Sequence, residues 1–210
     1  MFQSNKLKEK GGKKRMKRTL AAVTLLMAFV GCAWGAPSKK EIDAMSLFLS
    51  NFTELGFLNV TAEEMAEADN YAEAVRFGVE HNFVNNFKSR IVANKGEGRK
   101  YGAYRVSAKH VAESVKKYLA LDIEMDQSAE SDPPYFFDGK NFNFNKPDLG
   151  TIHYAKVQEV EKGRSGVYSA SGIVYNVKKP KEILGKFKAS FRDYVWKGKK
   201  TYSLISLESD

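Results

Sequence analysis

Residues 151–208 read TIHYAKVQEVEKGRSGVYSASGIVYNVKKPKEILGKFKASFRDYVWKGKKTYSLISLE. Apolar and polar residues alternate here with a period of 2, the signature of half-buried strands. Four runs stand out, at about 151–161, 166–178, 186–196 and 200–208. Val167, Ile173, Tyr175 and Val177 fall on one face of the second run. Phe187, Ala189, Phe191 and Val195 fall on one face of the third. The connections are short, at Gly163, between Pro180 and Gly185, and between Lys197 and Lys200. Short connections join antiparallel neighbours, so the stretch predicts a four-stranded antiparallel meander.

Upstream of the meander the period changes to 3.6. Ile42, Met45, Phe48, Leu49 and Phe52 share a helical face, behind a capping box of Ser38 and Glu41. This predicts a helix over about 39–52. Thr61 and Glu64 form a second capping box, for a short helix. Asn70 and Glu73 form a third, before the stripe Tyr71, Val75, Val79, Phe83 of a helix over about 71–85. Segments 87–94 and 101–106 flank the turn-rich GEGRKYG and predict a hairpin. Ser107 then caps a helix over about 108–121, and 122–134 is an acidic loop ending in Pro133-Pro134. Asp138-Gly139 between Tyr135-Phe136-Phe137 and Phe142-Asn143-Phe144 predicts a second hairpin. Helices first and strands last is the α+β pattern. The sheet must bury its apolar face, and the N-terminal helices are the available cover. The expected form is a curved antiparallel sheet on helices, which resembles the cystatin-like and nuclear-transport-factor-like cones as an architectural analogy.

The chain has 210 residues, 34 basic and 25 acidic, for a net charge of +9, and is 43% hydrophobic. That much apolar material excludes disorder as the main state. A single cysteine excludes an internal disulfide framework and a structural zinc cluster. The charge points to nucleic acid until its position is read. Eight of the basic residues and one acidic residue lie in 1–35, which leaves 26 against 24 in 36–210. Residues 1–35 read as a signal peptide: a basic stretch from Lys6 to Arg18, an apolar run from Leu20 to Val30, then small residues. The apolar run is far short of the roughly 20 residues of a spanning helix. Met16 is an alternative start, since Met16-Lys17-Arg18-Thr19-Leu20 would itself open a signal peptide. Two cleavage readings stay open. Phe29-Val30-Gly31-Cys32 resembles a lipoprotein box with Cys32 as the lipidated residue. Ala33-Trp34-Gly35 instead reads as a signal-peptidase site that leaves Ala36 first. The expected product is exported, either secreted or periplasmic or held by a lipid anchor, with residues 36–210 as one domain.

SLFLSNFTELGF, AVRFGVEHNFVNNF and YRVSAKHVAESVKKYLALDI together resemble a group of bacterial exported proteins and lipoproteins, over most of residues 41–205. The resemblance implies export and a coherent fold, and supplies no catalytic residue.

Three sets of side chains are candidates for chemistry. Asp193 falls by alternation on the apolar face, where a carboxylate in a concavity would act as a base, with His153 and Tyr175 as pocket companions. A bulge or bend that exposes Asp193 at the strand end is the simpler reading. Arg76, Glu80, His81, Asn82 and Asn85 concentrate near the end of the main helix and form a candidate polar recognition patch. Arg76 and Glu80 have the i, i+4 spacing of a surface pair. Arg90, Lys95, Arg99, Lys100 and Arg105 cluster around GEGRKYG as a candidate basic patch. The charge runs in blocks: 81–121 and 156–210 are basic, 36–80 and 122–155 acidic. No nucleophile elbow, phosphate loop, dinucleotide fingerprint or metal-ligand spacing is present, so no cofactor and no metal is expected. The sequence expectation is a non-enzymatic binding or interaction module at the cell envelope. Its partner would be an anionic envelope component or another envelope protein, not nucleic acid, and it would meet the membrane only through a lipid anchor. The alternative is a small-molecule pocket protein or weak enzyme that uses the concave sheet face.

Overall fold

The computed structural model describes residues 37–163 and 165–210. The expected signal peptide, with Cys32, lies outside the described residues. The chain is α+β, with helices first and the antiparallel meander last.

Helix α1 (Lys39–Thr53) starts at the expected capping box. Ser38 Oγ accepts from the Glu41 amide, and the Glu41 carboxylate accepts from the Ser38 amide at 2.7 Å. Strand β1 (Val60–Thr61) leads into α2 (Ala62–Ala66), capped by Thr61 and Glu64 as expected. The third box does not form. Asn70 ends a 3-10 turn and donates its side-chain amide to the Glu64 carbonyl, while Glu73 pairs with Arg76. Helix α3 spans Tyr71–Asn85. Residues 87–90 are not strand but a helical turn, α4 (Phe87–Arg90), because the Asn86 carbonyl accepts from the Ser89 and Arg90 amides. Four residues are too few for periodicity to separate strand from helix. Strands β2 (Ile91–Ala93) and β3 (Tyr104–Ser107) then pair around a 3-10 segment at Gly96–Tyr101. Helix α5 (Ala108–Leu119) follows directly, without a side-chain cap from Ser107.

The two expected hairpins merge into one sheet. Strands β4 (Phe136–Phe137) and β5 (Asn141–Phe144) join the first pair in the order β2-β3-β5-β4, with Tyr104 opposite Phe144. Buried Asn94 fastens it by donating to the Gly102 carbonyl and to Asn143 Oδ1.

The large sheet has the order β1-β9-β8-β7-β6, with β6 (His153–Lys162), β7 (Val167–Asn176), β8 (Lys179–Trp196) and β9 (Lys199–Ser209) as the meander. Residues 180–185, expected as a connection, belong to β8. The connection is the pair Val177 and Lys178. The apolar face of β7 is also the opposite of the one expected. Tyr168, Ala170, Gly172 and Val174 face the core, whereas Val167, Ile173 and Tyr175 are half-buried on the outside. Both faces carry apolar residues, so alternation alone does not choose between them. The Phe187 ring chooses. It packs opposite Gly172, where a Cβ would stand 2.9 Å from that ring.

Helix α1 fills the concavity. Phe48 lies 5.7 Å from Phe191 and 5.6 Å from Tyr202, and Phe52 stacks on Phe77 at 4.9 Å. Burial of each such ring contributes about 1.5–3 kcal/mol. A second row on the same helix, Ser46, Ser50 and Thr53, lies along the edge strand β6. Ser46 Oγ accepts from the Val157 amide at 3.0 Å. Ser50 Oγ accepts from the Ala155 amide at 3.1 Å. Thr53 Oγ1 donates to the His153 carbonyl at 3.0 Å. An uncovered edge would offer these groups to another chain. The helix therefore satisfies them with hydroxyls spaced four and three residues apart, one turn each. Past Val157 the ladder shifts register, and Glu159, Glu161 and Lys162 carry charge along the remaining edge.

Candidate functional site

The expected pocket on the sheet does not form. Asp193 and His153 lie at opposite ends of β7: Asp193 follows Arg192, the partner of Val167, and His153 pairs with Asn176. Ten residues of strand separate those ends, roughly 30 Å. Tyr175 is on the outer face against Tyr154. Asp193 shares the concave face, but its side chain is 59% exposed, paired with Lys162 at 3.0 Å and hydrogen-bonded by the Tyr168 hydroxyl. The concavity it was expected to serve is occupied by Phe48, Phe191 and Tyr202.

The polar group on α3 is largely buried, and it divides between the two flanks of the helix. On one flank Arg76 reaches Glu73 at 2.9 Å, donates to the Leu55 carbonyl and covers the Phe57 ring. Glu80, expected as a surface partner, is 7% exposed. It accepts from the Tyr135 hydroxyl at 3.0 Å and stands 3.5 Å from Arg76. Burial raises the Glu80 pKa, against the opposing pull of Arg76. Asn85 donates to buried Glu54, whose pKa burial also raises.

On the other flank a directed hydrogen-bond chain runs inward. Arg90 Nη1 donates to Asn82 Oδ1 at 3.1 Å. Asn82 Nδ2 shares its two protons among Ser114 Oγ at 2.9 Å, the Gly78 carbonyl at 2.7 Å and the His110 carbonyl at 3.1 Å. Ser114 Oγ meets His81 Nδ1 at 3.2 Å, and His81 Nε2 meets Asn51 Oδ1 at 3.2 Å. Asn51 Nδ2 is committed to the Leu47 carbonyl at 2.7 Å, so its Oδ1 accepts. That makes His81 Nε2 the protonated nitrogen and leaves Nδ1 to accept from the serine. The imidazole is thus fixed neutral. Burial, then the Lys117 and Arg90 charges, push its pKa down to about 3.

Above this chain lies a cleft of about 440 Å³. His81 and Ser114 line its inner side. One wall is Asn86 and Arg90, at the α3–α4 junction. A second is Glu113 and Lys117 on α5. The third is the β8–β9 hairpin, with Trp196, Lys197, Lys199, Lys200 and Thr201. Lys197 and Gly198 form a two-residue turn with φ of 49° and 77°, which matches the twist of paired strands. Glu113 joins the three walls. It lies 2.9 Å from Lys197, 3.5 Å from Arg90 and 3.6 Å from His110, and the Lys197 hydrogen bond leads the causes that lower its pKa. Five cations therefore line the cleft against one carboxylate, and two of the five already share it. Among the described residues, no carboxylate stands within 4 Å of Lys117, Lys199 or Lys200.

Of the basic patch expected around GEGRKYG, only Arg90 reaches this cleft. Lys95, Arg99 and Lys100 flank or belong to the 3-10 segment, and Arg105 lies on β3 opposite Val92 and Asn143. Sequence reasoning missed Glu113, Ser114, Lys117, Lys197, Lys199, Lys200 and Asn51. The KGKK run at a tight turn was the available signal. Nothing in the sequence marks Ser114 or Asn51. Among the described residues, no helix is long and apolar enough to cross a membrane. No protein-family model, no curated protein and no solved structure matches the chain.

Proposed function

We propose that this is an exported bacterial binding protein that acts without catalysis at the cell envelope and holds an anionic group in the α3–α5–hairpin cleft. One observation carries the reading: five cations line a cleft that holds a single carboxylate, and two of the five already share it. Like charges gathered in a concave, partly desolvated site raise the local potential and attract an anion. Glu113 ties Lys197 on the hairpin wall to α5. Export rests on residues 6–36, and Cys32→Ser separates its two forms: a lipoprotein leaves the membrane fraction, a secreted protein is unaffected.

The test of the cleft is calorimetric titration with tripolyphosphate. Reversing Lys199 and Lys200 to Glu is expected to weaken binding by about tenfold or more, and added salt to weaken the wild type. Equal affinity in the double variant removes the reading.

A second reading draws on the row Ser114, His81, Asn51, which has the order of a nucleophile, a base and an orienting group and borders the same cleft. A base must take up the serine proton, and an imidazole whose pKa lies near 3 holds it poorly. Ser114→Ala tells the two apart. Binding predicts that tripolyphosphate is still bound, since all five cations remain, and that there is no turnover to lose. Hydrolysis of an ester probe that the variant abolishes would favour the enzyme.

A further inference from the structure

Each lip of the cleft continues into an exposed apolar side chain that does not line it. On the hairpin, Val195 precedes Trp196 and is 62% exposed. On the opposite lip, Phe87 stands between Asn86 and Arg90 and is 41% exposed. A cleft that takes only a soluble anion has no use for apolar groups on its rim. A cationic surface rimmed by apolar and aromatic residues fits a charged layer with a hydrocarbon layer beneath it. In membrane-bound proteins tryptophan sits at the headgroup level, lysine and arginine answer lipid phosphates, and aliphatic side chains enter the acyl boundary.

We infer that the cleft and its two lips dock on an anionic phospholipid surface. Lys199, Lys200, Lys117 and Arg90 meet headgroup phosphates, and Trp196, Val195 and Phe87 enter the interface. The inference rests on the cleft reading above and names its partner. The two-residue turn at Lys197 and Gly198 makes the hairpin tip narrow, and the Lys197–Glu113 contact links it to α5. Charge draws the domain to the surface, and the short apolar lips limit it to shallow, reversible contact.

The chain has two tryptophans, so Trp34→Phe leaves Trp196 as the single reporter in the full-length protein. Residues 1–36 stay in every variant, so whatever they contribute is common to all. With vesicles of phosphatidylglycerol and phosphatidylcholine, Trp196 emission is expected to shift to the blue and to be quenched by brominated acyl chains. Vesicles of phosphatidylcholine alone are expected to give neither. Lys199→Glu with Lys200→Glu should raise the lipid needed for half-binding by about tenfold or more. Val195→Ser, which adds no charge opposite Lys200, should weaken the quenching and leave tripolyphosphate binding unchanged, which also reports that this variant is folded. If tripolyphosphate binds but Trp196 responds to neither vesicle, the docking inference falls and the cleft reading stands. If neither probe binds, both fall.

Discussion

Protonation of His81 is the perturbation whose size the structure allows to be worked through. The imidazole is buried between α3 and α5, stacked 5.9 Å from Phe77 and 4.7 Å from Tyr118, and hydrogen-bonded at both nitrogens. Its pKa falls from 6.5 to about 3 on folding. The unfolded chain therefore binds a proton that the folded chain refuses. Stability from this group is complete above pH 6.5 and is lost as pH falls toward 3. At about 1.4 kcal/mol per unit, the loss is about 2 kcal/mol at pH 5 and about 5 kcal/mol once both states are protonated. Glu54 and Glu80 act with the opposite sign. Their raised values give a stability that is present at low pH and lost as pH rises above 4.5. A comparison with His81→Gln cancels them, because both proteins carry them. The assay is urea unfolding of wild type and variant at pH 7 and pH 5. The variant starts less stable, but its loss between the two pH values should be smaller than the wild type's by about 2 kcal/mol. Equal losses would refute the claim that a neutral, desolvated imidazole underlies the cleft.

The remaining predictions concern the fold. Ser50→Ala strips the Ala155 amide of its partner and should cost about 1–3 kcal/mol in denaturant unfolding. The double variant with Ser46→Ala also strips the Val157 amide and should lose more stability than Ser50→Ala alone; equal stability of the two would show that the hydroxyls do not satisfy the edge. Gly78→Ala places a Cβ 2.6 Å from Val111 Cγ1 and 2.9 Å from the Val111 carbonyl oxygen, so it should cost about 1–3 kcal/mol by forcing α3 and α5 apart. A neutral result in thermal unfolding would mean the helices do not cross there.

Local signals in the sequence decided most of the elements. The boxes at Ser38 and Thr61 and the turn at Asp138-Gly139 act within a few residues, so they can be read without the fold. What stayed illegible depends on long-range pairing. The β3–β5 register joins residues some 40 apart, and neither hairpin alone hints at it. The β7 face was misread because Tyr168 and Gly172 look less apolar than Val167 and Ile173, while packing against Phe187 and Phe191 decides the matter. The same holds for the site. Arg76, Glu80, His81 and Asn82 form a real concentration, but adjacency along a helix does not show that Glu80 meets Tyr135 or that His81 meets Ser114. Basic residues near in sequence, Lys95 to Arg105, proved separate from those near in space, Arg90, Lys117 and the 197–200 hairpin.

That last contrast gives the most direct test of the account. Tripolyphosphate titrated into isotope-labelled protein, followed by amide chemical shifts, locates the anion site without prior choice of residues. The account predicts concerted shifts at Arg90, Glu113, Lys117 and residues 196–201, and none at Lys95, Lys100 or Arg105. Shifts centred on residues 95–105, or spread evenly over the surface lysines, would contradict it.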